Sequence, residues 1–232
     1  IANRTTYGID VLNLSLGPPI YEPAATDPLV QAIEAAVQAG LVVVVSAGNI
    51  GINPLTGQSE YAGVTSPGNA PSAITVGAAR TFDTTRRTDD VVAEYSSRGP
   101  TWFDAFVKPD VIAPGHRLLA AAGTSQTLYT LYPSLRGPSF GGRPYMYLSG
   151  TSMAAASVSG AAALILETSR VKYGTVAPVN AVKAMLQMSA FSMADASGYS
   201  YDVLTQGAGS LNPMGALSVA QVIDPTTAVG ST

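Results

Sequence analysis

Short apolar runs separated by glycine- and proline-rich turns mark the first half of the chain. Residues 11–16 (VLNLSL) end at a Gly-Pro-Pro turn, and residues 41–45 (LVVVV) begin directly after Gly40. A continuous run of β-branched residues without polar alternation is typical of a parallel strand that is covered on both faces. Residues 41–45 fit this pattern, and residues 11–16 are also predicted to be a buried strand, which the Gly-Pro-Pro turn ends.

The segment between these two strands has a helical pattern. Asp27 suits the N-cap position of a helix and Pro28 the first helical position. The apolar face of this helix is predicted to consist of Leu29, Ile33, Ala36 and Val37. A strand, a helix and a strand joined by short links form a right-handed crossover in an α/β sheet. Further strands are predicted at residues 72–78, 108–115 and 118–122.

A different pattern begins near residue 149. Ser152 precedes a stretch of small and aliphatic residues that reaches Leu166 without a polar stripe, and a helix that is apolar on all sides is predicted to be buried. Gly150 frees the chain before this helix and Thr151 is predicted to cap it, so Ser152 falls in the first turn. Unpaired N–H groups and the positive end of the helix dipole favour negative charge there. The position suits an oxyanion that develops beside a nucleophile.

The remaining segments add two helices and two irregular regions. The helices are predicted at residues 178–189 and from Pro213, with Asn212 as the cap. Residues 81–90 are polar and predicted to be exposed, and residues 123–147 have no clear helical period. We therefore expect the latter to form a hairpin or long loop rather than a second domain.

Composition narrows the class of protein. The chain has 232 residues, of which 47% are hydrophobic and 12% charged, as expected for one compact domain. Its net charge of −3 provides no basic surface for nucleic acid, so no nucleic-acid partner is expected. The absence of cysteine excludes disulfides and thiolate metal sites. Neither a signal peptide nor a membrane-spanning segment is recognisable, so no membrane partner is expected either.

Three loops leave the predicted carboxyl ends of strands or lead into the Ser152 helix. They are residues 15–17, residues 46–49 and residues 149–151. Open parallel sheets bind ligands at this edge, so the three loops are expected to form one site. Taken alone, Asn49 would be an ordinary turn residue that tolerates left-handed backbone geometry.

The motifs of these loops together resemble the subtilisin-like serine proteases, or subtilases. Residues 150–154 (GTSMA) and 158–163 (VSGAAA) resemble the nucleophile segment of that family. Other segments that resemble the family, in the same order along the chain, are residues 15–17, 46–49, 66–77, 95–100, 108–115 and 207–209. The resemblance covers residues from about 8 to about 222. It implies a three-layer α/β fold with a mostly parallel central sheet and helices on both faces. Residues 1–232 would then be the C-terminal portion of a single catalytic domain whose N-terminal strands are absent from this chain.

The resemblance also implies a role for each loop. Ser152 would be the nucleophile, and the Asn49 side chain with the Ser152 backbone N–H would stabilise the oxyanion. The implied substrate-binding residues are Ser15, Leu16, Gly17, Ser46, Ala47, Gly48 and Thr65. The first three would pair with the substrate backbone, while Ala47, Gly48 and residues 64–66 would wall the pocket for the side chain before the scissile bond. Because no charged residue lies at these positions, we expect a preference for apolar or uncharged side chains.

The chain departs from the family pattern in two ways. Most subtilases have proline where this chain has Ala156, and commonly histidine where it has Ser157. The catalytic aspartate and histidine motifs should both precede residue 15, but neither an Asp-Ser/Thr-Gly nor a His-Gly-Thr occurs there. Asp10 leads directly into a strand, and the one histidine, His116, lies in a later loop. We therefore expect an N-terminal portion of the same protease, in a separate chain or otherwise not in this sequence, to supply both residues.

Three interpretations follow, and they differ in what Ser152 does. The first is a serine endopeptidase that forms an acyl-enzyme on Ser152 and acts on a peptide or protein substrate. The second is an inactive pseudoprotease that binds or scaffolds other proteins, and the third is an unrelated α/β ligand-binding protein. The resemblance favours the first, with a secreted or extracellular location. In either subtilase case the 232 residues alone are predicted to be poorly soluble or unfolded, because residues 11–16 would form an exposed apolar edge.

Metal binding is a separate question. Calcium follows only from the resemblance, in which the Asp110 carboxylate and carbonyls after residues 66–68 hold a weak cation. A hydrogen-bond acceptor that braces a loop is the favoured role for Asp110. No metal ligand is therefore predicted.

Overall fold

The computed structural model describes residues 1–227. Its strands are β1 (Val11–Leu14), β2 (Val42–Ser46), β3 (Ile74–Arg80), β4 (Val91–Val92), β5 (Val111–Pro114), β6 (Leu118–Ala121) and β7 (Tyr145–Leu148). Its helices are α1 (Arg4–Tyr7), α2 (Pro28–Gln38), α3 (Thr127–Leu131), α4 (Thr151–Tyr173), α5 (Val179–Ser189), α6 (Val203–Gln206) and α7 (Pro213–Ala220).

The central sheet is mostly parallel. Strand β1 pairs with β2, β2 with β3, and β3 with β5, all in parallel. The short strand β4 is antiparallel to the end of β3. Strands β6 and β7 form a separate antiparallel hairpin. Among the described strands, β1 lies at one edge of the central sheet.

Strand β2 shows how the layers are built. All five of its residues are buried, and its side chains alternate between two faces. Val42 and Val44 pack in a core with residues of α4, α5 and α7, whereas Val43 and Val45 pack in another with residues of α2. The predicted three-layer α/β fold, with helices on both faces of a mostly parallel sheet, is therefore confirmed.

The helix signals near α2 and α7 are confirmed as well. The Asp27 carboxylate accepts the backbone N–H groups of Leu29 and Val30 at 2.9 and 3.3 Å, which caps α2. Its other oxygen accepts the hydroxyl of Ser66 at 2.6 Å, so the same side chain also fixes a loop of the site. The Asn212 side chain accepts the N–H of Gly215 at the start of α7.

Helix α4 differs from its prediction in one respect. It is not buried on all sides, because a stripe of its residues is exposed along its length. The exposed stripe comprises Ala156, Gly160, Ala163, Leu164, Glu167 and Val171. The opposite face packs on the central sheet through Ala155, Val158 and Ala162. The part of the chain that the structure describes leaves the exposed stripe uncovered.

The hairpin region is more structured than its pattern indicated. Residues 123–147 follow β6 and reach into β7. Between the two strands they contain α3 and a turn of 3₁₀ helix, Pro133–Leu135. Both helical pieces are too short to show a period in the sequence. No helix within residues 1–227 is long and apolar enough to cross a membrane.

Candidate active site

The three loops predicted to form one site meet at the start of α4. From the loop after β1, the Ser15 hydroxyl donates to the Ser152 carbonyl oxygen at 3.0 Å. From the loop after β2, Asn49 accepts the backbone N–H of Thr151 at 2.9 Å. The structure therefore brings Ser15, Asn49 and Ser152 together at the carboxyl edge of the sheet, where open parallel sheets bind their ligands.

The orientation of the Asn49 amide follows from its partner Thr151. Both the backbone N–H and the hydroxyl of Thr151 donate to the Asn49 side-chain oxygen, at 2.9 and 3.1 Å. A backbone N–H cannot donate to an amide nitrogen, so the oxygen must face the helix. The Nδ2 group then faces the opposite way, and it donates to no protein atom among residues 1–227. It remains a free N–H donor beside Ser152.

Thr151 does not cap α4, which corrects its predicted role. The N-cap residue is Gly150, at φ 154°, and it has no side chain that could accept a hydrogen bond. The first N–H of the helix is satisfied by Asn49 instead, from another part of the chain. The Thr151 hydroxyl in turn accepts the N–H of Gly48 at 3.2 Å. Thr151 thus joins the loop after β2 to the helix.

Ser152 is the second residue of α4 and is partly exposed. Its backbone N–H belongs to the first turn, where no carbonyl of the same helix is available. This nitrogen lies 3.7 Å, and Asn49 Nδ2 lies 3.5 Å, from the point that a Cβ on Gly150 would occupy. The Met153 sulfur also lies 3.7 Å from this point, so two N–H donors and one side chain surround it at the positive end of the helix dipole. An oxyanion that develops near this point would accept hydrogen bonds from Asn49 Nδ2 and the Ser152 N–H.

The predicted substrate-binding residues form two neighbouring walls. Residues 15–17 form the first wall, and residues 46–48 form the second. The hydroxyl of Ser46 donates to the carbonyl of Leu16 at 3.4 Å, and the N–H of Thr65 donates to the carbonyl of Ala47 at 3.0 Å. A Cβ on Gly17 would overlap the side chain of Thr65. Ser15, Leu16, Gly17, Ser46, Ala47, Gly48 and Thr65 therefore lie together.

Ser97 is a residue of the site that the sequence did not single out. Its backbone N–H donates to the carbonyl of Gly48 at 3.0 Å, and its hydroxyl accepts the N–H of Ile50 at 3.0 Å. These two bonds hold the turn that carries Asn49. The Ser-Ser-Arg-Gly-Pro motif at residues 96–100 places Ser97 in a turn, but no spacing in the sequence connects it with Asn49.

Within residues 1–227 no hydrogen bond joins Ser152 to either His116 or Asp10, the two residues of this chain that were compared with the catalytic histidine and aspartate. His116 stacks on Tyr95 with ring centroids 6.0 Å apart, and its Nδ1 is buried without a hydrogen-bond partner. Burial, and then the charges of Arg80 and Arg117, lower the pKa of His116. Asp10 forms an ion pair with Arg170, which lies 18 residues after Ser152 on α4 and so about 27 Å along the helix axis.

Asp110 is the acceptor that braces a loop, not a free ligand. Lys108 and Lys183 contact its carboxylate at 2.7 and 2.9 Å, and the N–H of Thr75 donates to it at 2.8 Å. Both ammonium groups also donate to the carbonyl of Ala73. Burial lowers the pKa of Lys108 to about 8. Because two cations already contact this carboxylate, Asp110 does not fit the role of a calcium ligand.

The comparison with known families and curated relatives agrees with these motifs. The sequence profile of the subtilase family matches residues 1–216. The serine protease AprX of Bacillus subtilis is 40% identical over 161 residues, which are 68% of this chain and 34% of the relative. Subtilisin DY of Bacillus licheniformis is 33% identical over 195 residues, which are 84% of this chain and 54% of the relative. The chain thus spans only part of the length of these relatives.

Solved structures give the same fold. The patellamide maturation protease PatA superposes with a TM-score of 0.66 at 23% identity, over 95% of this chain and 66% of that one. The prenylagaramide maturation protease PagA gives a TM-score of 0.64 at 24% identity, over 94% and 64% of the two chains. These identities support the architecture alone. The match of the family profile to most of the chain goes further, and the chain belongs to the subtilase family of serine proteases.

Proposed function

We propose that this chain is the part of a subtilisin-like serine endopeptidase that carries the nucleophile and the oxyanion donors. One observation carries the proposal: the bonds from Thr151 turn the Asn49 amide so that Nδ2 and the Ser152 nitrogen lie within 4 Å of the same point beside Gly150. An ordinary helix cap would need only the amide oxygen of Asn49. The free N–H donor beside a serine hydroxyl is what acyl transfer requires.

The mechanism proceeds through an acyl-enzyme. The Ser152 Oγ forms a bond to the substrate carbonyl carbon while a histidine base takes the hydroxyl proton. The electron pair of the C=O bond moves to its oxygen, which receives hydrogen bonds from Asn49 Nδ2 and the Ser152 N–H. Collapse of this intermediate breaks the C–N bond, and the amine leaves with the proton from the histidine. Water then attacks the Ser152 ester by the same steps and releases the carboxylic acid.

The base and its aspartate partner come, in this proposal, from an N-terminal portion of the same protease. Asp10 is paired with Arg170 and His116 is stacked on Tyr95, so we assign the role to neither. The outer edge of β1 and the exposed stripe of α4, in which Glu167 is the one charged residue, provide a surface on which that portion can pack. Residues 1–232 then form a single domain together with it. Subtilisin DY, of which this chain matches 54%, is long enough to contain such a portion.

Location and substrate are part of the same proposal. We assign a peptide or protein substrate, which would add as an extended strand beside Ser15, Leu16 and Gly17. A secreted or extracellular location agrees with one relative in Bacillus subtilis that is named a minor extracellular protease.

Labelling of Ser152 tests the proposal. The complete protease, with its N-terminal portion present, is treated with a fluorophosphonate, and the adduct is located by intact mass and peptide mapping. We expect one adduct, on Ser152, and none in Ser152→Ala. The matched control is Ser157→Ala, which changes a serine in the next turn of the same helix and should still be labelled. An unlabelled Ser152 in a sample shown to contain every polypeptide would instead favour the pseudoprotease.

A further inference from the structure

We propose that Thr65 restricts the substrate residue before the scissile bond to a small side chain, namely glycine, alanine or serine. The inference rests on the proposed function, because it concerns the pocket between the loops that precede Asn49 and Ser152. It narrows the substrate class beyond a general preference for uncharged side chains.

The side chain of Thr65 occupies the space between the two walls of that pocket. A Cβ on Gly17, in the first wall, would overlap the Thr65 side chain. A Cβ on Gly48, in the second wall, would lie 3.0 Å from both the methyl and the hydroxyl of Thr65. Thr65 therefore contacts the backbone of both walls. A substrate side chain that enters between them meets Thr65 instead of an open pocket.

Thr65 cannot easily move out of this position. It is only 4% exposed, and its N–H donates to the carbonyl of Ala47 at 3.0 Å. The next residue, Ser66, is held from two sides, by the Pro18 carbonyl at 3.0 Å and by the capping carboxylate Asp27 at 2.6 Å. A β-branched side chain has few alternative rotamers. Induced widening of the pocket would therefore require breaking bonds of the loop.

A mostly apolar cavity of about 400 Å³ adjoins Thr65. Ile20, Ile50, Val64 and Trp102 line it, and Thr65 forms part of its wall. One carboxylate, Glu60, also lies on the wall. Removal of the Thr65 side chain would free the space that it fills between Gly17 and Gly48, next to this cavity. A large apolar side chain could then be accommodated.

The test compares peptide substrates that differ only in the residue before the scissile bond. In the complete protease we expect kcat/KM for alanine to exceed that for leucine by about tenfold or more. In Thr65→Gly we expect the leucine-to-alanine ratio of kcat/KM to rise by about 10- to 200-fold, because steric exclusion is relieved. Thr65→Val is the matched control, since it retains the volume without the hydroxyl, and it should keep the preference for alanine.

Two results would overturn the inference. One is a wild-type enzyme that cleaves after leucine or phenylalanine as well as after alanine, a measurement that needs no variant. The other is a Thr65→Gly enzyme that is fully labelled by fluorophosphonate but has an unchanged ratio. If Thr65→Gly unfolds, Thr65→Ala provides the same comparison with less backbone freedom. Loss of labelling in the wild-type enzyme would contradict the proposed function itself, so the two failures are distinguishable.

Discussion

Asn49 has two chemical tasks in this structure, and substitutions can separate them. Its oxygen caps α4, whereas its Nδ2 faces the proposed oxyanion. We expect Asn49→Asp to retain the cap, because a carboxylate is favoured at a helix N-terminus, but to lose the N–H donor. Loss of the corresponding asparagine in subtilisin, the reference case for this effect, lowers kcat about 10²- to 10³-fold, and the same range is expected here with KM little changed.

The control for this prediction is Asn49→Ala, which loses both tasks. It should show a similar fall in kcat and, in addition, a loss of about 1 kcal/mol of stability from the missing cap. Steady-state kinetics and thermal unfolding of the complete protease measure the two effects. A rise in KM alone for Asn49→Asp would remove Asn49 from the oxyanion role.

At the scale of single residues, Ser152 was singled out by its place in the first turn of the predicted helix, and Asn49 by the resemblance to the subtilases. The catalytic roles of both stay predictions. Thr151 was wrongly predicted to cap α4. Its own N–H is satisfied by Asn49, which lies 102 positions earlier in the chain. Ser97 was missed for the same reason. Hydrogen bonds of this kind depend on tertiary structure, which local patterns do not encode.

Among the elements, α5 is tied to the sheet by a buried charged cluster. Lys183 on α5 and Lys108, which precedes β5, share the carboxylate of Asp110. The sequence placed Asp110 in a loop-bracing role but could not identify Lys183 as a partner. The sequence pattern of α5 indicates only an amphipathic helix, but its residue Lys183 is directed towards the buried carboxylate of Asp110.

The pH dependence of stability should reveal this cluster. Burial lowers the pKa of Lys108 from 10.5 to about 8. Between these two values the unfolded chain holds a proton that the folded chain has released. The contribution of Lys108 to the free energy of unfolding therefore rises with pH across this window, on the order of 3 kcal/mol in total.

Chemical denaturation of the complete protease and of Lys108→Met, at pH 7 and at pH 10, checks this sign. The stability of the wild type relative to the variant should increase between the two pH values. Subtraction of the variant removes other groups that titrate at alkaline pH, such as Tyr95, whose pKa burial raises. A relative stability that is flat or falls with pH would contradict the assignment.

Across the whole molecule, the apolar runs and the caps at Asp27 and Asn212 predicted the main strands and helices, and the resemblance to the subtilases implied their three-layer arrangement. Neither predicted the exposed surface of α4. The apolar composition of α4 also predicted burial on all sides, yet its stripe is exposed within residues 1–227. The expectation that the 232 residues alone are poorly soluble stays a prediction.

A charge placed on that stripe tests whether an N-terminal portion covers it. Ala163 is exposed on α4 in this chain, and in the complete protease we expect it to be buried. Ala163→Glu should then destabilise the complete protease by several kcal/mol, because burial of an unpaired carboxylate is costly. Ala32→Glu, an exposed alanine of α2 on the other face of the sheet, is the matched control and should change stability by less than about 0.5 kcal/mol. Equal melting temperatures for the two variants would show that the stripe stays in solvent, and the aspartate and histidine would then have to reach Ser152 by another route.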